Sequence, residues 1–419
     1  MKKHILIVSQ LFYPEQFRIN DMAAEWVKRG HRVTVVTGIP NYPQGKFYDG
    51  YSCFKKRKET WNGVEIIRIP LIARGNNSIG LVFNYFSFVI SGFFWKCFTR
   101  IKADMVFTFG VSPMTQALLG VWYSKKRKVP HYLYVQDLWP ENVEYVTGIH
   151  SRLVIGPISH MVNRIYKNCH KIFASSPSFV SEICKRCEGE EHKVVYWPQY
   201  AEDFYKPSQT KSDLIPQDAK LNVTFTGNIG TAQGLEILPE CARILGERGF
   251  KVRFNIVGDG RNKRNLLACI REHGVEDSFN MIGWQEAVTI PSILAASDAA
   301  FLSFADVPIY SMTIPAKLQS YMACGIPILV AACGETQRIV EEADCGLVSE
   351  LGSSEKLAEL IVRFAGLSDD VKRKMGENGR RYCELHFNRA ELHDEMLSEH
   401  LAAEQSTEKI TRVYSVLHK

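Results

Sequence analysis

The first half of the chain alternates short apolar runs with longer amphipathic stretches. Apolar runs of this length predict strands buried on both faces of a sheet, and the stretches between most of them are long enough for crossover helices. Strands joined through helices predict a parallel, doubly wound sheet. The predicted strands lie at residues 4–10, 32–38, 64–70, 103–110, 131–137 and 171–176.

The pattern restarts after a stretch that is rich in Pro, Ser, Thr and Lys. That stretch predicts a linker at 201–218 between a first domain at 1–200 and a second at 219–385. The charged helices at 386–419 are expected to cross back to the first domain. The second series of predicted strands lies at 221–229, 251–260, 279–284, 299–306, 326–334 and 345–350. The fold class is therefore α/β, with two doubly wound domains facing each other across a cleft, where open sheets bind ligands.

One segment, residues 78–102, departs from this alternation because it is almost continuously apolar and rich in Phe. Its uncharged part is at the lower limit for spanning a bilayer, and Asn84 and Ser91 interrupt it. A helix lying in the membrane interface fits better, since the basic run KKRK stands at 125–128. The alternative is a crossover helix buried against the sheet.

Composition adds a bias toward anionic partners. The 419 residues carry a net charge of +6, which suits an anionic ligand or a membrane surface and is too weak to indicate nucleic acid. The 11 cysteines are scattered, which favours reduced thiols in a cytoplasmic protein. One C-x-x-C lacks a second pair at regular spacing, so no metal site is predicted. The N-terminal run predicts a strand and not a signal peptide.

Glycine turns follow consecutive strands of the second domain. Gly227 and Asn228 follow the first of them, a second turn carries Arg261, and Trp284 follows the third. Glycines at a strand-to-helix turn let a phosphate approach the backbone, so the converging turns predict a nucleotide diphosphate site. An ordinary tight turn around Arg261 and a core position for Trp284 are the alternatives.

Lys317 stands in the first turn of a helix predicted from about Pro315 to Cys324. A lysine there opposes the helix dipole by about 0.3–1 kcal/mol. A phosphate bound between the ammonium and the helix start would reverse that sign, because a charge-assisted hydrogen bond is worth about 1.5–3 kcal/mol. A solvated lysine is the alternative.

Five segments carry a family resemblance: YPEQFRIND, PNYPQGKFYDGY, VQDLWPE, GNIGTAQGLE and PAKLQSYMACG. They cover essentially the whole chain and resemble the GT-B glycosyltransferases of family 4. The chain looks closest to the bacterial branch that builds O-antigen, capsule and exopolysaccharide units, the WbuB-like transferases of N-acetylfucosamine type. The resemblance implies retention of anomeric configuration, no cofactor and no bound divalent metal, with leaving-group charge stabilised by cations and helix dipoles.

The chain departs from the wider family in two places. The family's Glu-(x)7-Glu pair falls on Met312 and Ser320, so both carboxylates are missing. The family's basic residues in the first turn of the second domain are also missing, since Asn228 to Gln233 contains no cation. Lys317 and Arg261 are expected to supply that charge. The predicted donor contacts are Gly227, Asn228, Thr231, Gln233, Arg261, Trp284, Thr313, Lys317 and Ser320.

The first domain is expected to hold the acceptor and the catalytic groups. Family members often carry a histidine after the fifth strand, where this chain reads VQDLWPE. Asp137 is therefore the candidate polar group near the reacting carbon, and Glu15 is the second candidate. The alternative is that Asp137 caps the next helix.

The resemblance implies a hexosyltransferase at the cytoplasmic face of the cell membrane, where it is peripherally bound. It would move a sugar, an N-acetylated amino sugar in this branch, from a nucleotide diphosphate such as UDP to a polyprenyl diphosphate-linked acceptor. The product would enter surface polysaccharide biosynthesis. Two alternatives share the architecture: a UDP-sugar 2-epimerase that needs no lipid, and a non-catalytic nucleotide-sugar-binding partner.

Overall fold

The apolar runs of the first domain form one eight-stranded sheet in the computed structural model, which describes residues 2–75, 78–218 and 220–400. Its order is β3-β4-β2-β1-β5-β6-β7-β8, and all neighbours except β3 and β4 are parallel. The strands are β1 His4–Val8, β2 Arg32–Thr37, β3 Lys58–Trp61, β4 Val64–Arg68, β5 Met105–Gly110, β6 His131–Val135, β7 Lys171–Ala174 and β8 Val194–Tyr196. The helices are α1 Arg18–Lys28, α2 Ser78–Phe98, α3 Ala117–Arg127, α4 Glu141–Thr147, α5 Arg152–Lys167 and α6 Pro177–Cys184.

The second domain has a six-stranded, wholly parallel sheet of order β11-β10-β9-β12-β13-β14. Its strands are β9 Leu221–Thr226, β10 Val252–Val257, β11 Phe279–Gly283, β12 Ala299–Ser303, β13 Ile328–Ala331 and β14 Gly346–Ser349. Its helices are α7 Ile237–Glu247, α8 Lys263–Glu272, α9 Ile290–Ala295, α10 Pro308–Ser311, α11 Ala316–Cys324, α12 Glu335–Glu342, α13 Ser354–Ala365 and α14 Asp369–His386. The predicted fold class is confirmed.

The two carboxyl edges face each other across the predicted cleft. Ser176, just after β7, donates its hydroxyl to Met312 O at 2.6 Å. Ser178, in the first turn of α6, donates its N–H and its hydroxyl to Glu335 Oε1 at 2.9 and 2.6 Å. Met312 follows β12 and Glu335 begins α12 after β13, so these bonds join the carboxyl edge of one sheet to that of the other. Ligands therefore have access to both domains at once.

The chain returns to the first domain after α14. A short helix, α15 Arg389–Glu395, packs on the core around α1. His393 is fully buried there; its Nδ1 accepts from Trp26 Nε1 at 3.2 Å and its Nε2 pairs with the Tyr200 hydroxyl at 2.9 Å. Arg389 forms ion pairs with Asp21 and Glu25 of α1. Of the predicted returning segment 386–419, residues 401–419 lie outside the described residues.

α2 is a crossover helix with one side packed and one side bare. Phe88 is fully buried, and Asn84 accepts from Gln10 Nε2 at 2.7 Å while donating to Ile72 O at 2.6 Å. The opposite side, which we call the α2 apolar face, is between 56% and 80% exposed. It consists of Ile79, Phe83, Phe86, Ile90, Phe94 and Phe98. The alternative of a crossover helix buried against the sheet is therefore wrong for this side.

The basic run beside α2 closes the end of that helix. Lys126 Nζ donates to Lys96 O and to Cys97 O, both at 2.7 Å, and Arg127 Nη2 donates to Thr99 O at 2.7 Å. Cations at a helix C-terminus satisfy its free carbonyls and complement its dipole. The basic run thus stands at the C-terminal end of the helix that carries the α2 apolar face.

Candidate active site

The predicted glycine turns of the second domain lie side by side. Gly227 N donates to Val257 O at 2.9 Å, and Gly258 N donates to Gly283 O at 2.8 Å, so the ends of β9, β10 and β11 are adjacent. Gly258 has a φ of +138°, and a Cβ built there would lie 1.9 Å from Gly227 O. No side chain fits between these turns, so the backbone itself forms the floor of the site.

Lys317 points at this floor. Its Nζ lies 4.0 Å from the centroid of the Phe225 ring, and a Cβ added at Gly227 would be 3.6 Å from Nζ. Within residues 2–75, 78–218 and 220–400 this ammonium makes no hydrogen bond and no ion pair. Burial lowers the pKa of Lys317 to about 7. A half-buried cation without a counter-ion is unfavourable, so the site is complementary to an anion.

The helix that carries Lys317 begins one residue later than predicted. Pro315 has extended backbone dihedrals and is the N-cap, so Lys317 is the second residue of α11. Gly325, with a φ of +70°, ends the helix as predicted. The sequence therefore located this helix start correctly to within one residue.

Some polar residues of the loop after β9 are exposed, whereas others form hydrogen bonds within the protein. Gly227, Asn228 and Thr231 are exposed on the cleft side of the strand end. Gln233 instead holds the loop together, because its Oε1 accepts from Gly230 N at 3.2 Å and its carbonyl accepts from Ser303 Oγ at 2.6 Å. The loop therefore offers its own backbone and small side chains to a ligand.

Two predicted donor contacts, Thr313 and Ser320, use their hydroxyl groups in hydrogen bonds within the protein. Thr313 donates its hydroxyl to Ile309 O at 3.1 Å. Ser320 is buried, and its hydroxyl donates to Ala316 O one turn earlier at 3.2 Å. These bonds remove the reason for counting Ser320 among the donor contacts.

Trp284 is 60% exposed at the end of β11, so the alternative of a core tryptophan is wrong. We expect Trp284→Ala to weaken nucleoside diphosphate binding about tenfold, because a base stacked on an aromatic ring gains about 1–3 kcal/mol. Calorimetric titration with a nucleoside diphosphate measures the loss. Inorganic pyrophosphate should bind the variant as it binds the parent protein, and Trp284→Phe should retain most of the affinity. Equal losses for both ligands would show that Trp284 does not contact the base.

Asp137 stands at the carboxyl edge of the first sheet, just after β6. Its Oδ2 accepts from Ser112 N at 2.6 Å. Helix α4 begins at Glu141 and receives no side-chain cap, so the alternative that Asp137 caps this helix is wrong. Burial raises the pKa of Asp137 above its usual range, against the hydrogen bonds from Ser112. The carboxylate also acts electrostatically on Tyr310 of the second domain, so it is near both walls of the cleft.

Glu15 is more deeply placed than the other catalytic candidate. It is 2% exposed, and its Oε1 accepts from Asn41 N and Tyr42 N, both at 2.7 Å. Burial raises the pKa of Glu15 to about 7, although these hydrogen bonds oppose the rise. The carboxylate therefore orders the loop that carries Tyr42, and its predicted catalytic role stays a prediction.

Two arginines meet between the domains. Arg261 follows β10 in the second domain, and its Nη2 donates to Gly75 O of the first domain at 3.2 Å. Arg74, beside Gly75, stacks its guanidinium carbon 5.1 Å from the centroid of the Tyr42 ring. Arg261 was predicted from the sequence and Arg74 was missed. An arginine-glycine pair in the loop after β4 was the available signal, because that loop also lies at a carboxyl edge.

The geometry is matched by comparisons with known proteins. Residues 16–198 match the Glycosyl transferase 4-like domain, and residues 208–382 match the Glycosyl transferases group 1 family. The protein is a glycosyltransferase of the GT-B fold. WcaI of Escherichia coli K12, a glycosyl transferase named for colanic acid biosynthesis, is 23% identical over 356 residues, which cover 80% of this chain and 84% of WcaI.

Solved GT-B structures have the same architecture. Sucrose-phosphate synthase from Thermosynechococcus elongatus superposes with a TM-score of 0.73 at 16% identity and covers 94% of this chain and 97% of its own. HepE from Anabaena, solved with UDP and glucose, has a TM-score of 0.68 at 14% identity, with 95% and 99% coverage. At these identities the likeness is one of fold.

The departure of this GT-B chain from the wider family has a structural counterpart. The two positions of the family's acidic pair are Met312, whose carbonyl accepts from Ser176 across the cleft, and the buried Ser320. Neither position offers a carboxylate to a ligand. The second domain therefore presents a site in which the ammonium of Lys317 lies beside the glycine floor.

Proposed function

We propose that this glycosyltransferase moves a sugar from a nucleotide diphosphate to a saccharide on a polyprenyl diphosphate at a membrane surface, in surface polysaccharide biosynthesis. The observation that carries the donor half is the unpaired ammonium of Lys317 beside the glycine floor. An anion of two charges fits there, with the exposed Trp284 available to the base. HepE, which shares the fold, was solved with UDP, so a uridine nucleotide is the first donor to test.

The α2 apolar face supports the membrane half of this proposal. One helix, Ile79–Phe98, is long and apolar enough to cross a membrane. Asn84 and Phe88, however, tie its inner side to the first domain, and spanning a bilayer would break the bonds of Asn84 to Gln10 and Ile72. A helix that buries one apolar face and keeps its polar contacts lies in the interface. The basic run at its end favours an anionic surface, as on the cytoplasmic leaflet.

We assign catalysis to residues at the facing carboxyl edges of the two sheets. Lys317 would neutralise the departing diphosphate, as preorganised cations do in place of a metal. Asp137 would stabilise positive charge near the reacting carbon, and the amino-sugar specificity and retention of configuration follow the family resemblance. Proton magnetic resonance of the product tests retention, and turnover that is lost on adding chelator would contradict the metal-free mechanism.

A donor screen followed by a transfer assay tests the whole proposal. Uridine-, guanosine- and thymidine-diphosphate sugars are compared by thermal shift, because a bound ligand stabilises the folded state. The best donor is then incubated with a short prenyl diphosphate carrying one sugar. Glycosidic product is expected only with the prenyl acceptor. Sugar interconversion without acceptor would indicate the epimerase alternative, and binding without turnover would indicate the non-catalytic one.

The proposed membrane contact is tested by replacing exposed aromatic side chains of the α2 apolar face. Phe86→Gln/Phe94→Gln should lower partitioning onto vesicles of anionic phospholipid about 30-fold, because each half-exposed ring loses about 1 kcal/mol of burial in the interface. Sedimentation with the vesicles measures the bound fraction. Leu385→Gln is the matched control, since Leu385 is 69% exposed on α14 of the second domain and should not affect binding. Equal binding by the double variant would refute the membrane role of α2.

A further inference from the structure

Arg74 is a cation held at the domain interface without a partner for its charge. Its backbone N–H donates to Asn41 Oδ1 at 3.0 Å, which fixes the position of the residue. Its guanidinium Nε is buried and has no hydrogen-bond acceptor. In the part of the chain that the structure describes, no carboxylate forms an ion pair with Arg74. Glu15 is close enough to act on it electrostatically, but its Oε1 is occupied by Asn41 N and Tyr42 N.

Arg261 brings a second unpaired cation to the same place. It reaches across from the second domain, and its guanidinium donates to an uncharged carbonyl, Gly75 O. The two guanidinium groups are close enough that Arg261 lowers the pKa of Arg74, in addition to the larger effect of burial. Two like charges at close range repel each other, so the folded protein is held in this arrangement against an electrostatic cost. A bound dianion would convert that repulsion into attraction.

The groups around the two arginines suit a phosphate. Tyr42 lies under the Arg74 guanidinium, and Tyr85 of α2 interacts electrostatically with both arginines. Arginine presents a planar fork of donors that matches phosphate oxygens in pairs. Neutral tyrosine hydroxyls add donors without adding competing charge. Aromatic rings and arginines therefore surround a small anion site. Asp137 acts electrostatically on both tyrosines and Glu15 acts on Arg74. Among the described residues neither carboxylate forms an ion pair with an arginine of this site, and both accept backbone N–H groups instead.

We propose that Arg74 and Arg261 together bind a phosphate group of the acceptor, at a site distinct from the donor diphosphate at Lys317. The inference rests on the proposed function for the identity of its ligand. Arg74 belongs to the first domain and stands four residues before α2, whose apolar face supplies the proposed membrane contact. A phosphate that bridges a lipid and a saccharide would have to lie between the membrane surface and the cleft, and the interaction of both arginines with Tyr85 of α2 suits that position.

Binding measured with the donor site already filled tests this site. The protein is saturated with the nucleoside diphosphate that stabilises it best, and farnesyl diphosphate, inorganic pyrophosphate, glucose 1-phosphate and farnesol are titrated in turn. Both diphosphates should bind and farnesol should bind much more weakly. Tighter binding of farnesyl diphosphate would indicate a lipid carrier, whereas tighter binding of glucose 1-phosphate would indicate a free sugar phosphate; both results support a phosphate site.

Arg74→Gln should weaken diphosphate binding about 20-fold and leave nucleotide affinity unchanged, whereas Arg261→Gln, which also removes a predicted donor contact, should weaken the binding of both ligands. The Arg74 variant should keep its melting temperature, because the guanidinium of Arg74 donates no hydrogen bond to any residue that the structure describes and its buried Nε has no acceptor there. Arg32→Gln is the control, since Arg32 begins β2 at the opposite edge of the sheet and pairs with Glu65. Unchanged diphosphate binding by the Arg74 variant, or an equal loss of nucleotide affinity, would overturn the inference.

These outcomes separate the inference from the proposed function. If the arginine variants lose diphosphate binding while the parent protein transfers no sugar to any prenyl acceptor, the phosphate site stands and the proposed reaction is wrong. If transfer proceeds and the Arg74 variant keeps its KM for the prenyl acceptor, the reaction stands and the phosphate site is wrong.

Discussion

We expect Asp137→Asn to lower kcat about 10²–10³-fold while donor binding is retained. The amide keeps an oxygen that can accept from Ser112 N, so the local fold should survive, but it lacks the negative charge that we propose stabilises the reacting carbon. The acid limb of the pH–rate profile should lie above the ordinary range of an aspartate, since burial raises the pKa of this carboxyl, and it should disappear in the variant. Steady-state rates between pH 4 and 9 measure both effects.

Asp104→Asn is the matched control. Asp104 also accepts a backbone N–H, from His4 at 2.6 Å, but at the amino edge of the first sheet. The Asp104 variant therefore reports the effect on kcat of the same chemical change made away from the cleft. A kcat for the Asp137 variant within a few-fold of the Asp104 variant would remove Asp137 from the mechanism.

Lys317→Ala should weaken binding of the donor about 100-fold, because it deletes the charge-assisted hydrogen bonds to the diphosphate. The fold should be retained, since the ammonium forms no bond to the described part of the protein and its burial is unfavourable. Lys372→Ala is the control: its Nζ lies 5.2 Å from the centroid of the Phe364 ring, so a comparable cation–aromatic contact is lost on a distant helix. Titration calorimetry with the donor nucleotide measures the affinity of both variants.

The same lysine predicts a pH dependence of binding. Its pKa of about 7 means that the free site loses its charge as pH rises above 7, so donor affinity should fall by up to about tenfold per pH unit, with proton uptake on binding. Lys317→Arg stays protonated and should flatten this dependence. An affinity in the parent protein that is constant from pH 6 to pH 9 would show that the ammonium does not bind the donor.

The stability of the free protein should change with pH in the corresponding direction. The pKa of Lys317 is about 7 in the folded state, against about 10.4 for an unperturbed lysine. Between these values the unfolded chain binds a proton that the folded protein does not, so this group makes the free energy of unfolding rise with pH. Lys317→Ala should remove that contribution.

The strand pattern was predictable because each buried run needs a continuous apolar stretch, and every predicted run contains a strand. Two short edge strands, β3 and β8, were missed because they carry too few buried residues to form a run. A local signal for β3 was present. Asn62 and Gly63 both have positive φ values, 48° and 77°, and this dipeptide is typical of a tight hairpin turn.

The site was only partly predictable, for a physical reason. Lys317 stood out because a cation at a helix start violates a local rule, whereas Arg74 violates none. Its importance comes from the electrostatic effect of Arg261 of the other domain and from a buried Nε that has no acceptor among the described residues, and both depend on long-range packing. Ser320 shows the converse, since a hydroxyl in a helix can bond to the carbonyl one turn earlier and become unavailable.

The anchoring of α15 on α1 constrains how the two halves can move. The polypeptide passes between the domains once before β9 and again between α14 and α15, where Arg389 and the buried His393 fix it. Because two connections join the domains, the domains can open about one axis while rotation about another axis is resisted. Exchange of substrate and product should therefore proceed by a bending motion that parts the serine contacts of Ser176 and Ser178 together.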